Sequence, residues 1–169
     1  SQLTFLLNEN GTLDFYNKNT KIKPGSNTFE KALTMLKFAF DNKNLLNNNL
    51  IYYGEAVCNL KHNVVTYDRT PKHYFILYDI YNISEKRYMS PEFKQEEAKR
   101  LGLECVPILY YNDDINCNAV EKCQALIKDI EENRLVSCLG GIPEGVVLKH
   151  HAFNKDGKID NKDNFNKDK

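Results

Sequence analysis

The sequence predicts an α+β domain in which antiparallel strands dominate and helices pack outside them. Three observations carry that expectation. An Asn10-Gly11 pair separates two short alternating runs, several further runs are rich in β-branched and aromatic residues, and three amphipathic stretches open with helix-start signals.

Leu3 to Leu7 alternates and leads into Asn8-Glu9-Asn10-Gly11, where asparagine and glycine both tolerate positive φ and so favour a hairpin. Its return strand runs from Thr12 to Tyr16. A polar loop follows, Lys18 to Asn27, broken at Pro24-Gly25. Thr28 stands where it can cap a helix from Phe29 to Phe40, with Phe29, Leu33, Leu36 and Phe40 on one face. An Asn-rich stretch, Asn42 to Asn49, ends that helix. Leu50 to Val57, Asn63 to Tyr67 and Tyr74 to Tyr81 read as strands. Ser90-Pro91 starts a helix that ends near Gly102. Beyond it come a short strand (Val106 to Tyr110), a helix (Asn118 to Glu132), a loop at Gly140-Gly141 and Pro143, and a short buried strand (Val146 to Leu148). From Asn154 onward Asn, Lys and Asp dominate, so residues 1–153 read as the domain and 154–169 as a mobile polar tail.

With 169 residues, 41% of them apolar and 19 phenylalanines and tyrosines together, the chain can bury a core without staples. Lysine plus arginine and aspartate plus glutamate are both 23, a formal net charge of zero. That removes the compositional argument for a polyanion partner, although a local basic groove can exist within a neutral total. No run is apolar enough to span a bilayer and no signal-peptide pattern opens the chain, so a soluble, cytoplasmic, monomeric protein is expected. The five cysteines (Cys58, Cys105, Cys117, Cys123, Cys138) include no C-x-x-C pair and read as reduced thiols. Beginning at Ser1 with no methionine, the chain reads as a piece of a longer protein.

Chemistry-bearing residues concentrate in three segments. Tyr53-Gly54-Glu55 sets a glycine and a carboxylate inside an apolar strand, where burial without partners is costly. Phe75-Ile76-Leu77-Tyr78-Asp79-Ile80-Tyr81 places an aspartate in a strand beside an aromatic able to stack on a base. In Glu144-Gly145-Val146-Val147-Leu148-Lys149, period-two alternation would separate Glu144 from Lys149 on opposite faces. Singly, each also reads as an ordinary strand, with edge charges solvated or Asp79 capping a turn.

In this order the three resemble the covalent nucleotidyltransferase superfamily. The likeness is to the RNA ligase 2-like ligases of phages and other viruses, in which Y-G-E, F-x-x-F/Y-D-I and E-G-x-V-x-K recur. The resemblance implies the fold of a nucleotidyltransferase (ATP-grasp-like ligase) domain, covers most of the chain, and places Ser1-Gln2-Leu3-Thr4-Phe5 directly after the nucleophilic K-x-x-G motif. It implies that Glu55, Glu144 and Lys149 are catalytic, with Glu55 at the ribose or a metal-bound water and Lys149 near the phosphates. Glu144 would position Mg²⁺ near the α-phosphate. Tyr78 would stack on adenine. Lys18 fills a nucleotide-contacting position where the family usually has arginine, and Lys167 and Lys169 match the letters of its closing K-x-K. ATP (leaving AMP) and Mg²⁺ are the implied cofactors, and nicked or broken RNA ends the implied partners. A DNA ligase, an RNA-capping guanylyltransferase, or a non-catalytic nucleotide- or nucleic-acid-binding module are the alternatives.

Other signals are weaker. Ala152 to Asp163 has a calcium loop's glycine but alanine at the first ligand position. His150-His151 would point to opposite sides of a strand. The charged residues from Glu92 to Arg100 read as a solvated helix face.

Overall fold

The computed structural model describes residues 1–18, 20–25, 28–62, 64–111, 118–149, 152–153 and 159–160. In chain order the elements are β1 (Gln2–Leu7), β2 (Leu13–Asn17), β3 (Thr20–Lys21), α1 (Glu30–Phe40), β4 (Leu50–Ala56), β5 (Lys61–His62), β6 (Val65–Thr66), β7 (Phe75–Asn82), β8 (Arg87–Tyr88), α2 (Pro91–Leu101), β9 (Glu104–Cys105), α3 (Ala119–Glu131), β10 (Ala152–Phe153) and β11 (Ile159–Asp160). They fall into two compact units. One comprises Ser1–Cys58, Pro71–Val106 and His151–Lys169, the other Asn59–Thr70 and Pro107–His150.

The first unit is built on a sheet of order β3-β2-β1-β4-β7-β8, with β9 also pairing β7. Every pairing among the described strands is antiparallel except β7 with β9, so the fold is α+β as expected. The β1–β2 hairpin closes as its sequence dictates. Asn8 Oδ1 accepts from the backbone N–H groups of Asn10 and Thr12, and Gly11 takes φ 79°.

One face of this sheet is the core. Alternation in β4 sends Leu50, Tyr52, Gly54 and Ala56 inward, beside Leu3 and Phe5 of β1 and Phe75, Leu77 and Ile80 of β7. Over them lie Ala32, Leu33, Leu36 and Phe40 of α1, and Ala98 and Leu101 of α2. Phe5 is the hub, its ring 5.1 Å from Tyr52 and 5.2 Å from Phe75. Burying such a ring contributes roughly 1.5–3 kcal/mol.

Helix α2 starts and stops where expected. Ser90 Oγ accepts from the Phe93 N–H at 3.1 Å, Pro91 occupies the first turn, and Gly102 ends the helix at φ 68°. Its polar face is not all solvated, however. Lys94 and Glu97 are 7% and 8% exposed. Tyr52 Oη donates to Glu97 Oε1 at 3.0 Å, and Arg100 donates to both oxygens of the same carboxylate. A tyrosine in the core strand provides the buried partner that helical periodicity could not reveal.

Several boundaries differ from the sequence expectation. Helix α1 is preceded by Phe29 rather than capped by Thr28, and its start has no side-chain cap. The strand expected over Val106 to Tyr110 is instead the two-residue β9, Glu104–Cys105, whose pairing with β7 ends where the Val106 N–H donates to the Leu77 carbonyl at 2.9 Å. Asn63 to Tyr67 contributes only β6, half of a two-residue hairpin with β5. Thr20–Lys21, read as loop, pairs with the end of β2. Within the segment read as a tail, Ile159–Asp160 pairs with Ala152–Phe153. The remainder of 154–169, with most of the calcium-like loop, and His150-His151 lie outside the described residues.

In the second unit Gly140 and Gly141 take φ 81° and 75°, and the turn they form brings the Leu139 carbonyl to the N–H groups of Asp68 and Arg69. A Cβ on Gly141 would collide with the Thr66 carbonyl oxygen, so the close approach requires glycine. The buried strand expected at Val146 to Leu148 does not form. Residues 142–149 are irregular, with Val147 83% exposed and Leu148 57%. Alternation over so short a run, interrupted by Gly145, does not distinguish a strand from an extended loop. No disulfide joins Cys58, Cys105, Cys123 and Cys138 to one another, and Cys117 lies outside the described residues. No described helix is long and apolar enough to cross a membrane.

Candidate active site

The sheet face opposite the core carries the candidate site. Period-two alternation turns Tyr53 and Glu55 of β4 away from α1 and α2. Register then fixes their neighbours: Gln2 stands opposite Glu55, Thr4 opposite Tyr53, and Asp79 on the other side of Tyr53. Between Tyr53 and Gly54 the β4–β7 register shifts, so Tyr78 is an extra residue in β7. This bulge lets Tyr78 and Asp79, adjacent in sequence, both reach the site face.

The bulge is anchored from behind. The Lys94 ammonium, carried by α2, donates to the Tyr78 carbonyl at 3.1 Å. A carbonyl displaced from the ladder by a bulge needs such a donor when it is buried.

Around the bulge sits an aromatic and acidic cluster. Tyr81 and Tyr88 meet edge to face at 5.0 Å, and Tyr53 lies 6.0 Å from Tyr88. Burial, with smaller contributions from the Asp79 and Glu55 carboxylates and from Tyr53 and Tyr88, pushes the Tyr78 hydroxyl up to about 12. Tyr88 is likewise pushed to about 12 by burial, then by Tyr53, Asp79 and Tyr81. Tyr53 is also raised, again mainly by burial. These hydroxyls therefore stay protonated at neutral pH and act as donors and flat apolar surfaces, not as bases. Glu55 is partly exposed, its Oε1 2.8 Å from the nitrogen of Ser1. Thr4 is 5% exposed, and its Oγ1 has no hydrogen-bond partner among the described residues.

Of the residues singled out from sequence, the structure brings Glu55 and Tyr78 to one face, close enough for the carboxylate to influence the phenol. Carrying the β1–β2 register two residues further sets Lys18 alongside Gln2, at the same end of the sheet as Glu55. Two strand spacings put their backbones roughly 10 Å apart. Glu144 and Lys149 lie on the irregular segment of the second unit, Glu144 exposed and Lys149 half-buried. Lys167 and Lys169 lie outside the described residues. Asp79 and Tyr88 belong to the cluster and were missed as site residues. Sequence alone read Asp79 as a turn cap, and Tyr88 carried only the signal of a second tyrosine across a short turn from Tyr81.

As for metal, no group of three or more histidine, cysteine, aspartate or glutamate side chains among the described residues could form a cage. Mg²⁺ does not require one. It keeps several waters and uses one or two carboxylates together with phosphate oxygens.

A family model described as RNA ligase matches residues 1–164. The chain belongs to the RNA ligase family. Two solved structures, both of Naegleria gruberi RNA ligase, resemble it. One, with pyrophosphate, superposes with a TM-score of 0.54 at 22% identity, covering 75% of this chain and 37% of the other. The second, a lysine-to-alanine variant with ATP and manganese, gives a TM-score of 0.47 at 20% identity, covering 75% and 38%. At this identity the first likeness supports the fold alone. The chain spans a little over a third of the length of either ligase. No curated protein sequence matches it.

Proposed function

We propose that this chain is the nucleotide-binding part of an ATP-dependent RNA ligase that joins an RNA 5′-phosphate to a 3′-hydroxyl. The observation carrying this reading is the joint placement of Glu55 and Tyr78 on the sheet face opposite the core of an RNA ligase family chain. Tyr78 offers a ring for adenine, a contact worth about 1–3 kcal/mol. Glu55 offers a carboxylate to accept hydrogen bonds from ribose hydroxyls. Lys149 would hold phosphate and Glu144 would hold Mg²⁺, assignments resting on the Glu144 to Lys149 motif. When bound, Mg²⁺ neutralises phosphate charge and polarises the phosphoryl oxygens.

The chemistry proceeds in three displacements. A lysine amine attacks the α-phosphorus of ATP, forming a phosphorus–nitrogen bond as pyrophosphate leaves. An RNA 5′-phosphate oxygen then attacks the same phosphorus and the lysine departs. Finally a 3′-hydroxyl attacks the RNA phosphate, losing its proton, and AMP leaves. The attacking lysine is expected immediately upstream of Ser1. The β1–β4 register sets Gln2 opposite Glu55, so the start of β1 runs beside the candidate carboxylate.

The test is transfer of label from α-labelled ATP to protein that includes the upstream residues. Glu55→Ala and Glu144→Ala should each abolish it, and retained labelling would overturn the assignment. Competition by GTP would indicate a guanylyltransferase. ATP binding without any labelling would indicate a non-catalytic module, and sealing of nicked DNA in preference to RNA a DNA ligase.

A further inference from the structure

Lys18, Lys21 and Lys23 border an open groove of about 630 Å³ between the β2–β3 turn and the start of α1. Asn17, Thr20, Ile22, Pro24 and Gly25 complete its walls, and Phe29, 5% exposed, closes its base. Lys21 shares its charge with Asp14 at 3.4 Å, whereas Lys18 and Lys23 make no ion pair among the described residues. Three ammonium groups against one carboxylate form a local positive field in a chain whose formal net charge is zero. The three lysines are exposed, so their charges are available to a ligand rather than committed to the fold. The groove follows the outer strand of the sheet and begins at Lys18, the end that also carries Glu55.

We propose that this groove binds the phosphodiester backbone of an RNA strand, with Lys21 and Lys23 gripping phosphates and Lys18 where the strand approaches the nucleotide site. An open channel lined by lysines suits a polyanion that must pass along the surface. Lysine, a point charge on a flexible stem, serves backbone phosphates without reading sequence. The proposal deepens the ligase reading and rests on it.

The experiment measures binding of the full chain to a fluorescent 5′-phosphorylated single-stranded RNA across a series of KCl concentrations, with ATP binding measured in parallel. In the Lys21→Gln/Lys23→Gln double variant the slope of log affinity against log salt should fall by about 1.4, roughly 0.7 for each single-strand phosphate that is no longer neutralised. ATP affinity should not change. A Lys37→Gln/Lys99→Gln control, altering exposed lysines on α1 and α2, should keep the wild-type slope. An unchanged slope in the groove variant overturns the groove proposal and leaves the ligase reading standing. Loss of ATP affinity with RNA binding intact also overturns it, reassigning the lysines to the triphosphate. If the wild-type chain binds no RNA even at low salt, both the groove and the RNA ligase reading fall.

Discussion

Gly54 offers the sharpest test of how the fold places the site. A Cβ built there would come within 3.0 Å of the buried Phe75 ring and of the Ile76 carbonyl oxygen, closer than real Cβ atoms go. Neither neighbour can yield cheaply. Phe75 is fully buried against Phe5, and the Ile76 backbone lies in β7, paired with Glu55 on one side and Glu104 on the other. Gly54→Ala must therefore separate β4 from β7. Overpacking of this kind costs about 1–3 kcal/mol, more where backbone must move. With a urea m-value of about 2 kcal/mol/M, a 2 kcal/mol loss lowers the unfolding midpoint by about 1 M. Because Glu55 follows Gly54 directly, ATP affinity should fall in the same variant under conditions where it remains folded. A midpoint within about 0.2 M of wild type, against that 1 M expectation, would refute the claim that this glycine is required by close strand approach.

Three further outcomes follow from the same geometry. Tyr78→Ala should weaken ATP binding roughly ten- to a hundred-fold, the equivalent of about 1–3 kcal/mol, while Tyr78→Phe keeps most of the affinity because stacking uses the ring; isothermal titration calorimetry distinguishes the two. Tyr52→Phe should lower stability by about 1.5–3 kcal/mol in urea unfolding, because it removes a hydrogen bond to the buried Glu97 carboxylate. Burial raises the Glu97 carboxyl, but the Arg100 and Tyr52 hydrogen bonds and the Arg100 charge outweigh it and hold it below its ordinary 4.5. Its stabilisation is therefore fully present above pH 4.5 and lost as pH falls through the lower folded-state value. Unfolding midpoints measured from pH 6 down to about pH 3 should show this acid loss in wild type and a shallower one in Glu97→Gln.

Much of the fold was legible because local chemistry and tertiary packing agree. The Asn8 to Gly11 turn and the Ser90-Pro91 start with its Gly102 stop are each written in a few adjacent residues. Elements defined by their partners were not legible. β9 exists only through its pairing with β7, and the Tyr78 bulge only because β4 and β7 fall out of step. The same division runs through the site. Glu55 and Tyr78 could be singled out from their motifs, whereas Asp79 joins them through the bulge and Lys94 through a helix folded behind it. Period-two alternation misled at residues 144–149, where Val147 and Leu148 remain exposed and no strand forms.

The most direct measurement is an amide chemical-shift titration of the full chain with ATP. Binding on the sheet face opposite the core predicts saturable shifts at Tyr53, Glu55, Tyr78, Asp79 and Tyr88, with Phe38 on the outer side of α1 unmoved. Shifts confined to the outer surface of α1, or none at ATP concentrations of several millimolar, would contradict the assignment of this face as the nucleotide site.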